Sequence, residues 1–571
     1  CKTGGVFIFT QRGQTWYDGG KQTCGRRLMV DWKKNSLHDL HIDSYTAQGF
    51  GVARLDGRVV FIPGTIRGED WKVQLLKVQK NIAWGRGVEL LTPSPARVEP
   101  DCPISGKCGG CQYRHMTYEE ELTAKWDRVN DALRRLGGLD LELPPVLGAE
   151  DPLRYRNKVQ LPVAQGKQGL SIGYFRPRSH DVLDVEDCPL QPLAVTRLRE
   201  AFKAWMEQWS VPAYDESTCQ GLIRHLYVRT NQAGQSLCCV VANGKKLPQV
   251  SELVDALCKA EPGLIGLVLN INQADTNVIL GPEYRTLWGQ DFLEETLCGM
   301  TFRLSVPSFF QINWAQTQRL YAQAVDFASL TGQETVLDLY CGIGTISLAL
   351  AQTAGQVIGA EIVPQAIEDA KANAARNKVN NTRFFCGDAG SVAAQLAREG
   401  VRPQVICVDP PRKGLAPEVP AILASMAPER IVYVSCAPAT LARDAKRLEE
   451  LGYRAVKVQA VDLFPRTAHV ETICLLSKLN AKQHIEINLD MDELDLTDAE
   501  KKATYQEIKD YVLEHSGLKV SSLYIAQVKQ KCGIIERENY NKPKSEDAKQ
   551  PQCPPDKEKA IKEALTHFGM I

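Results

Sequence analysis

Val336-Leu-Asp-Leu-Tyr-Cys-Gly-Ile-Gly-Thr345 runs from an apolar strand into a glycine turn and on into a helix. Gly342 and Gly344 let backbone come close to a ligand, and the helix N-terminus that follows favours polar or anionic groups. Dinucleotide enzymes share this turn, so the residues downstream decide its use. Glu361 ends the next strand, Gln356–Glu361, where a carboxylate can hold the two ribose hydroxyls of an adenosine. Asp388 follows a third strand, in Phe385-Cys-Gly-Asp388, placed for an adenine. The three in register predict a Rossmann-type nucleoside site.

Working outward, strands and helices alternate from residue 313. Thr335–Tyr340 precedes a helix through Ala351, and Gln356–Glu361 a helix to Asn377. Gln404–Asp409 follows, then Arg430–Cys436 and a helix to Leu451. This order predicts an α/β fold with a parallel, doubly wound sheet, whose ligands lie beyond the carboxyl ends of the strands. Two motifs fall at that edge. In Asp409-Pro-Pro-Arg412 the paired prolines fix the backbone and aim the carboxylate of Asp409. In Val432-Tyr-Val-Ser-Cys-Ala-Pro438, Cys436 ends a strand beside a helix N-terminus, a setting expected to lower a thiol's pKa.

A thiolate at that place suits one chemistry well. C5 of a pyrimidine is too electron-poor to take a methyl group unaided. Thiolate addition to C6 makes an enolate whose C5 is nucleophilic, and a base must later remove the C5 proton so that the cysteine can leave. His469-Val-Glu471-Thr472, just before the final apolar strand Ile473–Ser477, brings the Glu471 carboxylate to the same edge. A buried structural cysteine is the plainer reading of Cys436, but a Ser-Cys-x-Pro turn at a strand end is an unusual place for one.

Upstream, residues 38–97 read as short strands: His41–Tyr45, Gly51–Leu55, Arg58–Ile62, Lys72–Val78 and Gly87–Leu91. Turns at Asp56-Gly57 and Pro63-Gly64 separate them, and Pro93-Ser94-Pro95 ends the run, which suggests a small oligonucleotide-binding type of barrel. Arg54, Arg58, Arg67, Lys72, Lys77, Lys80 and Arg86 suit an RNA-facing surface, or an ordinary solvated barrel face. Residues 98–305 mix a helix at 117–136 with strands such as Lys158–Val163, Leu222–Arg229, Leu237–Ala242 and Leu264–Asn270. With helices at 192–208 and 248–260 they make an α+β domain. The catalytic domain is expected over 306–480. Residues 1–37 show no steady period and are assigned no function.

Residues 481–571 hold an acidic linker, 486–500, and two helices around Ser516-Gly517, Tyr505–Glu514 and Ser521–Lys531, at helix-turn-helix spacing. A Pro- and Lys-rich loop lies near 541–557. A helical interaction appendage is at least as good a reading of this module as nucleic-acid binding, because the seven acids in 486–500 would repel phosphate.

Composition bounds the rest. At 571 residues the chain exceeds one ordinary core, and 44% hydrophobic with 24% charged residues describes a globular protein. No apolar run of about 18 residues predicts a membrane span, and Cys1–Thr10 lacks the basic start and apolar stretch of a signal peptide. Of the eighteen cysteines, Cys238, Cys239, Cys407 and Cys474 sit in apolar strands, as small buried hydrophobes do in a reducing cytoplasm. Cys102, Cys108 and Cys111 form C-x5-C-x2-C around Gly109-Gly110, and Cys188 follows in Asp187-Cys-Pro-Leu190. Four thiolates suit tetrahedral zinc or an iron–sulfur cluster, and spacing does not separate the two. The C-x3-C-x2-C spacing of radical chemistry is absent, so a structural role fits better. Net charge is zero, so any RNA contact rests on local basic patches.

Over residues 38–480 the chain resembles the RNA uracil-5 methyltransferases. The matched runs are Gly49-Phe-Gly-Val-Ala-Arg54, Arg154-Tyr-Arg-Asn-Lys158, Ser308-Phe-Phe-Gln-Ile-Asn313, Asp338-Leu-Tyr-Cys-Gly342, Asp409-Pro-Pro-Arg-Lys-Gly-Leu415 and Thr440-Leu-Ala-Arg-Asp444. The resemblance is to the ribosomal branch, with an N-terminal TRAM barrel and a class I S-adenosylmethionine-dependent domain. It implies that Gln311, Tyr340, Glu361 and Asp409 contact S-adenosylmethionine, that Cys436 is the nucleophile and Glu471 the base. It also implies that Cys102, Cys108, Cys111 and Cys188 hold a [4Fe–4S] cluster. The expected activity is methylation of C5 of a uridine in 23S ribosomal RNA by a cytoplasmic monomer. Transfer RNA is an alternative substrate, against which the barrel and the cysteines count, since the tRNA branch normally lacks them. A cytosine enzyme would use the same thiol. A non-catalytic RNA-binding assembly factor is a third reading, against which intact Cys436, Glu471 and Asp409 count. One departure stands out: the family has Asn after the nucleophile, and here the residue is Ala437.

Overall fold

The computed structural model describes residues 32–166, 169–479, 505–532 and 553–568. The chain divides into two units, Cys1–Lys482 and Gln483–Ile571.

In the first unit, β1 (Leu37–Tyr45), β2 (Gly51–Leu55), β3 (Arg58–Ile62), β4 (Asp70–Val78) and β5 (Ile82–Thr92) close into a barrel in the order β1-β2-β3-β5-β4. Asp56 and Gly57 both take positive φ, the two-residue turn whose twist matches a hairpin, and they set Leu55 opposite Arg58. Leu40, Ile42, Ala53, Val60, Ile62, Val73, Leu75 and Ala83 fill the barrel. Trp32 packs against this core and donates to the Gln79 carbonyl at 3.0 Å, so the barrel begins before residue 38. The rest of the expected extension, residues 1–31, lies outside the described residues.

Helix α1 (Tyr118–Asp131), capped by Thr117, continues into a π-helical turn, Ala132–Gly137. Barrel and helix are tied by Tyr45, whose hydroxyl donates to Glu120 at 2.7 Å, and by Arg67, which reaches Asp127 at 2.7 Å. The next elements are β6 (Lys158–Gly166), β7 (Gly169–Phe175), β8 (Val182–Asp184), α2 (Leu193–Gln208), β9 (Ile223–Thr230), β10 (Ser236–Ala242), α3 (Val250–Ala260), β11 (Leu264–Ile271) and β12 (Glu283–Gly289). They form a mixed sheet, β12-β11-β10-β9-β6-β7-β8. One face packs on α2 and α3 through Phe202, Leu253, Leu226 and Val240. On the other, Tyr227, Cys239 and Val268 meet Leu293 and Val306.

The hairpin β13 (Phe292–Leu297) and β14 (Met300–Ser305) leads into α4 (Trp314–Ala328), and the catalytic sheet follows. Its elements are β15 (Thr335–Leu339), α5 (Thr345–Ala351), β16 (Gln356–Glu361), α6 (Pro364–Arg376), β17 (Thr382–Cys386), α7 (Ala389–Arg398), β18 (Val405–Val408), α8 (Val419–Ser425), β19 (Arg430–Ser435), α9 (Pro438–Glu450), β20 (Tyr453–Val461) and β21 (Glu471–Lys478). The order is β17-β16-β15-β18-β19-β21-β20. The first five strands are parallel, and β21 enters antiparallel between β19 and β20.

Two differences from the sequence-based expectation follow from packing. Residues 98–305 contribute to more than one core. Val129, Leu133, Leu139, Leu143 and Val146 lie in the core of the catalytic sheet with Leu337, Tyr433 and Leu448, and the hairpin buries Leu297, Phe302 and Leu304 in that sheet's other face. Glu471 is the first residue of β21 rather than a residue ahead of it, and β20 is a strand that the sequence does not announce. A bulge between Ala455 and Lys457 breaks the alternation of β20, and exposed Arg454 and Lys457 guard this edge of the sheet.

The second unit contains α10 (Tyr505–Ser516), α11 (Ser522–Lys531) and α12 (Pro555–His567), packed through Ile508, Val512, Ile525, Val528, Ile561 and Leu565. The third helix begins in the stretch expected to be a Pro- and Lys-rich loop, with Pro555 in its first turn, where the missing N–H costs nothing. The acidic linker, 486–500, lies outside the described residues. Among the described residues, no helix is long and apolar enough to cross a membrane.

Candidate active site

A cleft of about 640 Å³ opens at the carboxyl edge of the catalytic sheet, and Gln311, Tyr340, Glu361, Asp409, Cys436 and Glu471 all line it. At one end β15 runs into Tyr340 (φ 67°), Gly342 (φ 54°) and Gly344 (φ 84°). The glycines take the left-handed region freely. Tyr340 does so at a cost of roughly 1 kcal/mol or more, which the surrounding structure must hold. Glu361 steadies the turn, accepting from the N–H of Gly342 at 3.2 Å and of Val363 at 3.0 Å. Below it, buried Asp338 accepts from Ser347, and burial pushes its carboxyl up to about 7.

The central sheet holds the loop that forms the opposite wall. Asn157 donates from its side chain to the Gln311 carbonyl at 2.9 Å, and Arg229 to the Ser308 carbonyl at 2.6 Å. Phe309, Ile362 and Val363, 63%, 62% and 50% exposed, give the rim an apolar lining. Such a cleft, with a glycine turn, a carboxylate at its edge and apolar walls, fits a nucleoside. Asp388, expected near an adenine, does not line it. Its carboxylate caps α7, accepting from the Ser391 N–H at 3.0 Å.

At the other end Cys436 and Glu471 meet. Ser435 pairs with Thr472 across β19 and β21, so the next residues outward, Cys436 and Glu471, stand opposite each other. Burial, then Glu471 and Asp409, push the Cys436 thiol up, while the Arg412 guanidinium beside it pulls the other way. The lowering expected from the helix N-terminus is therefore not what dominates. The Ala437 N–H goes to the Ser435 hydroxyl at 3.1 Å, and Pro438 has no N–H to offer. Arg412 supplies the positive charge instead. It closes the motif in which Asp409 alone is the evident functional group. Burial pushes Asp409 up to about 7, and burial with the Asp409 charge pushes Glu471 up to about 8.

Ala437 leaves the turn intact. Its carbonyl accepts from the Ser435 hydroxyl at 3.2 Å and the Thr440 hydroxyl at 2.9 Å. Arg128, from α1, adds positive charge near Cys436 and donates to the Ala468 carbonyl. About three hundred residues of chain separate it from the cysteine, and no local signal marks it.

The four cysteines also come together. They are free thiols, and Cys102 and Cys188 both act on Cys108, while Cys188 and Cys108 act on Cys111. Burial pushes Cys111 up to about 11, against the pull of Arg114. The Gly110 N–H points at the Cys108 sulfur, 3.3 Å away. Arg154 brings in the fourth by a double contact to Asp187, at 2.7 and 2.6 Å. As placed, no group of three or more Cys, His, Asp or Glu side chains among the described residues is arranged to hold a metal ion.

Comparison with known proteins gives concordant matches. Residues 269–479 match the family described as tRNA (Uracil-5-)-methyltransferase, and residues 36–88 the TRAM domain. An uncharacterized RNA methyltransferase of Clostridium tetani is 45% identical over 79% of this chain and 98% of its own length. One from Halalkalibacterium halodurans is 42% identical over 78% and 98%. Among solved structures, the Pyrococcus abyssi tRNA (uracil-54, C5)-methyltransferase in complex with S-adenosyl-L-homocysteine is similar. It has a TM-score of 0.62 and 26% identity, over 77% of this chain and 100% of that one.

Proposed function

The chain belongs to the RNA uracil-5 methyltransferase family, and on that premise we propose that it methylates C5 of a uridine in 23S ribosomal RNA through a covalent cysteine–C6 adduct. The observation that carries the reading is Cys436 facing Glu471 across two strands, at the far end of a cleft whose other end is the glycine turn. Gln311, Tyr340, Glu361 and Asp409 hold S-adenosylmethionine, which supplies the methyl group and leaves as S-adenosylhomocysteine.

Cys436 adds as thiolate to C6, and the electron pair of C5=C6 moves toward the C4 oxygen. Arg412 offsets the charge of the thiolate. C5 takes the methyl group, and the Glu471 carboxylate then removes the C5 proton. The pair so released restores C5=C6 and expels Cys436.

The cysteine quartet is proposed to hold a [4Fe–4S] cluster. Four cysteines are the donor type such a cluster takes, and binding it would have to draw the side chains closer and offset the burial that pushes the Cys108 and Cys111 thiols up. Its role is structural, joining the segment after the barrel to the central sheet. Iron and sulfide analysis of anaerobically prepared protein tests this, and stoichiometric zinc in colourless protein would replace it.

Transfer RNA is the second reading, favoured by the name of the Pyrococcus neighbour. Mapping 5-methyluridine in ribosomal and transfer RNA with and without the protein decides between them. Cys436→Ala is expected to abolish turnover, and the wild type to form a covalent adduct with 5-fluorouridine RNA, whose fluorine cannot leave as a proton. A fully active alanine variant would sink the mechanism.

A further inference from the structure

The loop 462–470, between β20 and β21, has little regular structure, and it delivers Glu471 and the cleft-lining Phe464. Its shape is set from outside by a buried charge group. Lys125, on α1, donates to Glu121 at 2.6 Å, to Asp462 at 2.6 Å and to the Phe464 carbonyl at 3.2 Å, and the three charged side chains are wholly buried. Tyr118 donates to the second oxygen of Asp462 at 2.7 Å. The Arg466 N–H donates to Glu121 at 2.7 Å, which holds Arg466 in the left-handed region at φ 69°.

A buried ion group of this kind is a poor means of gaining stability, because desolvation offsets its attraction and apolar packing does as well. What it does well is fix geometry. Here one ammonium binds two side chains and a loop carbonyl at once.

We propose that Lys125, with Glu121 and Asp462, is a positioning residue that holds loop 462–470 so that Glu471 faces Cys436. The inference rests on the reading of Glu471 as the base. Cys436 follows β19, which β18 supports from its far side, whereas Glu471 opens β21 and is joined directly to the loop, so addition and methyl transfer survive when the group is lost. Proton removal from C5 slows.

The test uses the full chain with Lys125→Met, Glu121→Gln and Asp462→Asn combined, which removes the three wholly buried charges together, while Arg466, 3.7 Å from Glu121, keeps access to water at 17% exposure. Tyr118→Phe serves as a lighter variant. Turnover is expected to fall on the order of 10–100-fold, the scale of a misplaced catalytic group. A methylated covalent RNA–protein complex should accumulate while S-adenosylmethionine affinity is unchanged. Tyr118→Phe should move the same way by less, and it decides the matter alone if the triple variant does not fold. Adding the triple change to Glu471→Gln should cost nothing further.

Near-normal turnover in a folded variant, or a loss without the stalled complex, overturns the proposal. Glu471→Gln by itself separates the two levels. If it stalls the complex and the Lys125 variants do not, only the positioning role fails. If it does not stall, the base is another residue.

Discussion

Glu471 and Cys436 share a buried pocket with Asp409, and each raises the cost of charging its neighbours. Burial first, then Asp409, pushes Glu471 up to about 8, so in the free protein it keeps its proton at neutral pH. A base must be ionised, and the thiol beside it is raised as well. The kcat/KM for 5-methyluridine formation is therefore expected to climb with pH through about 8 rather than through the ordinary carboxylate range near 4.5. Stability responds to the same shift with the opposite sense. Between 4.5 and about 8 the unfolded chain has released a proton that the native carboxyl retains, so this group's contribution falls as pH rises across the window and is level above it. Arg412→Gln removes the cation that lowers both groups and should move the rising limb to higher pH. A limb near 4.5 in a pH–rate profile would sink this account. Cys436 was legible because a strand, a short turn and a helix place it unambiguously at the sheet edge. Its electrostatics were not, because they depend on which group takes one N–H and on an arginine from a neighbouring turn.

Elements were legible in proportion to their periodicity. Gln356–Glu361 and Arg58–Ile62 have the bounds expected of them, since apolar runs between turn residues admit little else. β20, bulged and charged along its edge, gave no clean period. Where an element packs was harder still, because α1 reads as an ordinary amphipathic helix and nothing in its sequence names its partner. Its continuation shows the consequence. Leu133, in the π-helical turn, is 1% exposed and sits among residues of the catalytic sheet, with α9 close by. Leu133→Ala is expected to cost about 2–5 kcal/mol of that sheet's stability, the usual range for a leucine removed from a core. The denaturation midpoint, followed with S-adenosylmethionine binding, reads it. A change below about 0.5 kcal/mol, as at a surface site, would place the turn outside the core.

The whole chain carries zero net charge, so RNA contact rests on local cations and those of the barrel matter individually. Two of the seven are paired with carboxylates, Arg67 with Asp127 and Glu120, and Lys72 with Glu89, and Arg86 donates to the Gln74 side chain at 3.1 Å. Arg54, Arg58, Lys77, Lys80 and Arg86 remain exposed, with Lys77 over the Trp84 ring at 5.0 Å. Deleting the barrel would be a poor test of its role. Tyr45 and Arg67 brace α1, and α1 carries Lys125 and Arg128, which hold the loop leading to Glu471. Neutralising charge in place avoids that coupling. Lys77→Gln, Lys80→Gln and Arg86→Gln together should weaken RNA binding and flatten its salt dependence. The log–log slope should fall by about 0.7 for each phosphate of single-stranded RNA that is no longer neutralised. S-adenosylmethionine affinity should hold, because every proposed cofactor-binding residue lies between Gln311 and Asp409. RNA affinity measured at several salt concentrations, beside cofactor affinity, gives both readings. A salt slope equal to the wild type's in a folded, cofactor-binding variant would mean that these three cations touch no phosphate, and that RNA is gripped elsewhere on the unit.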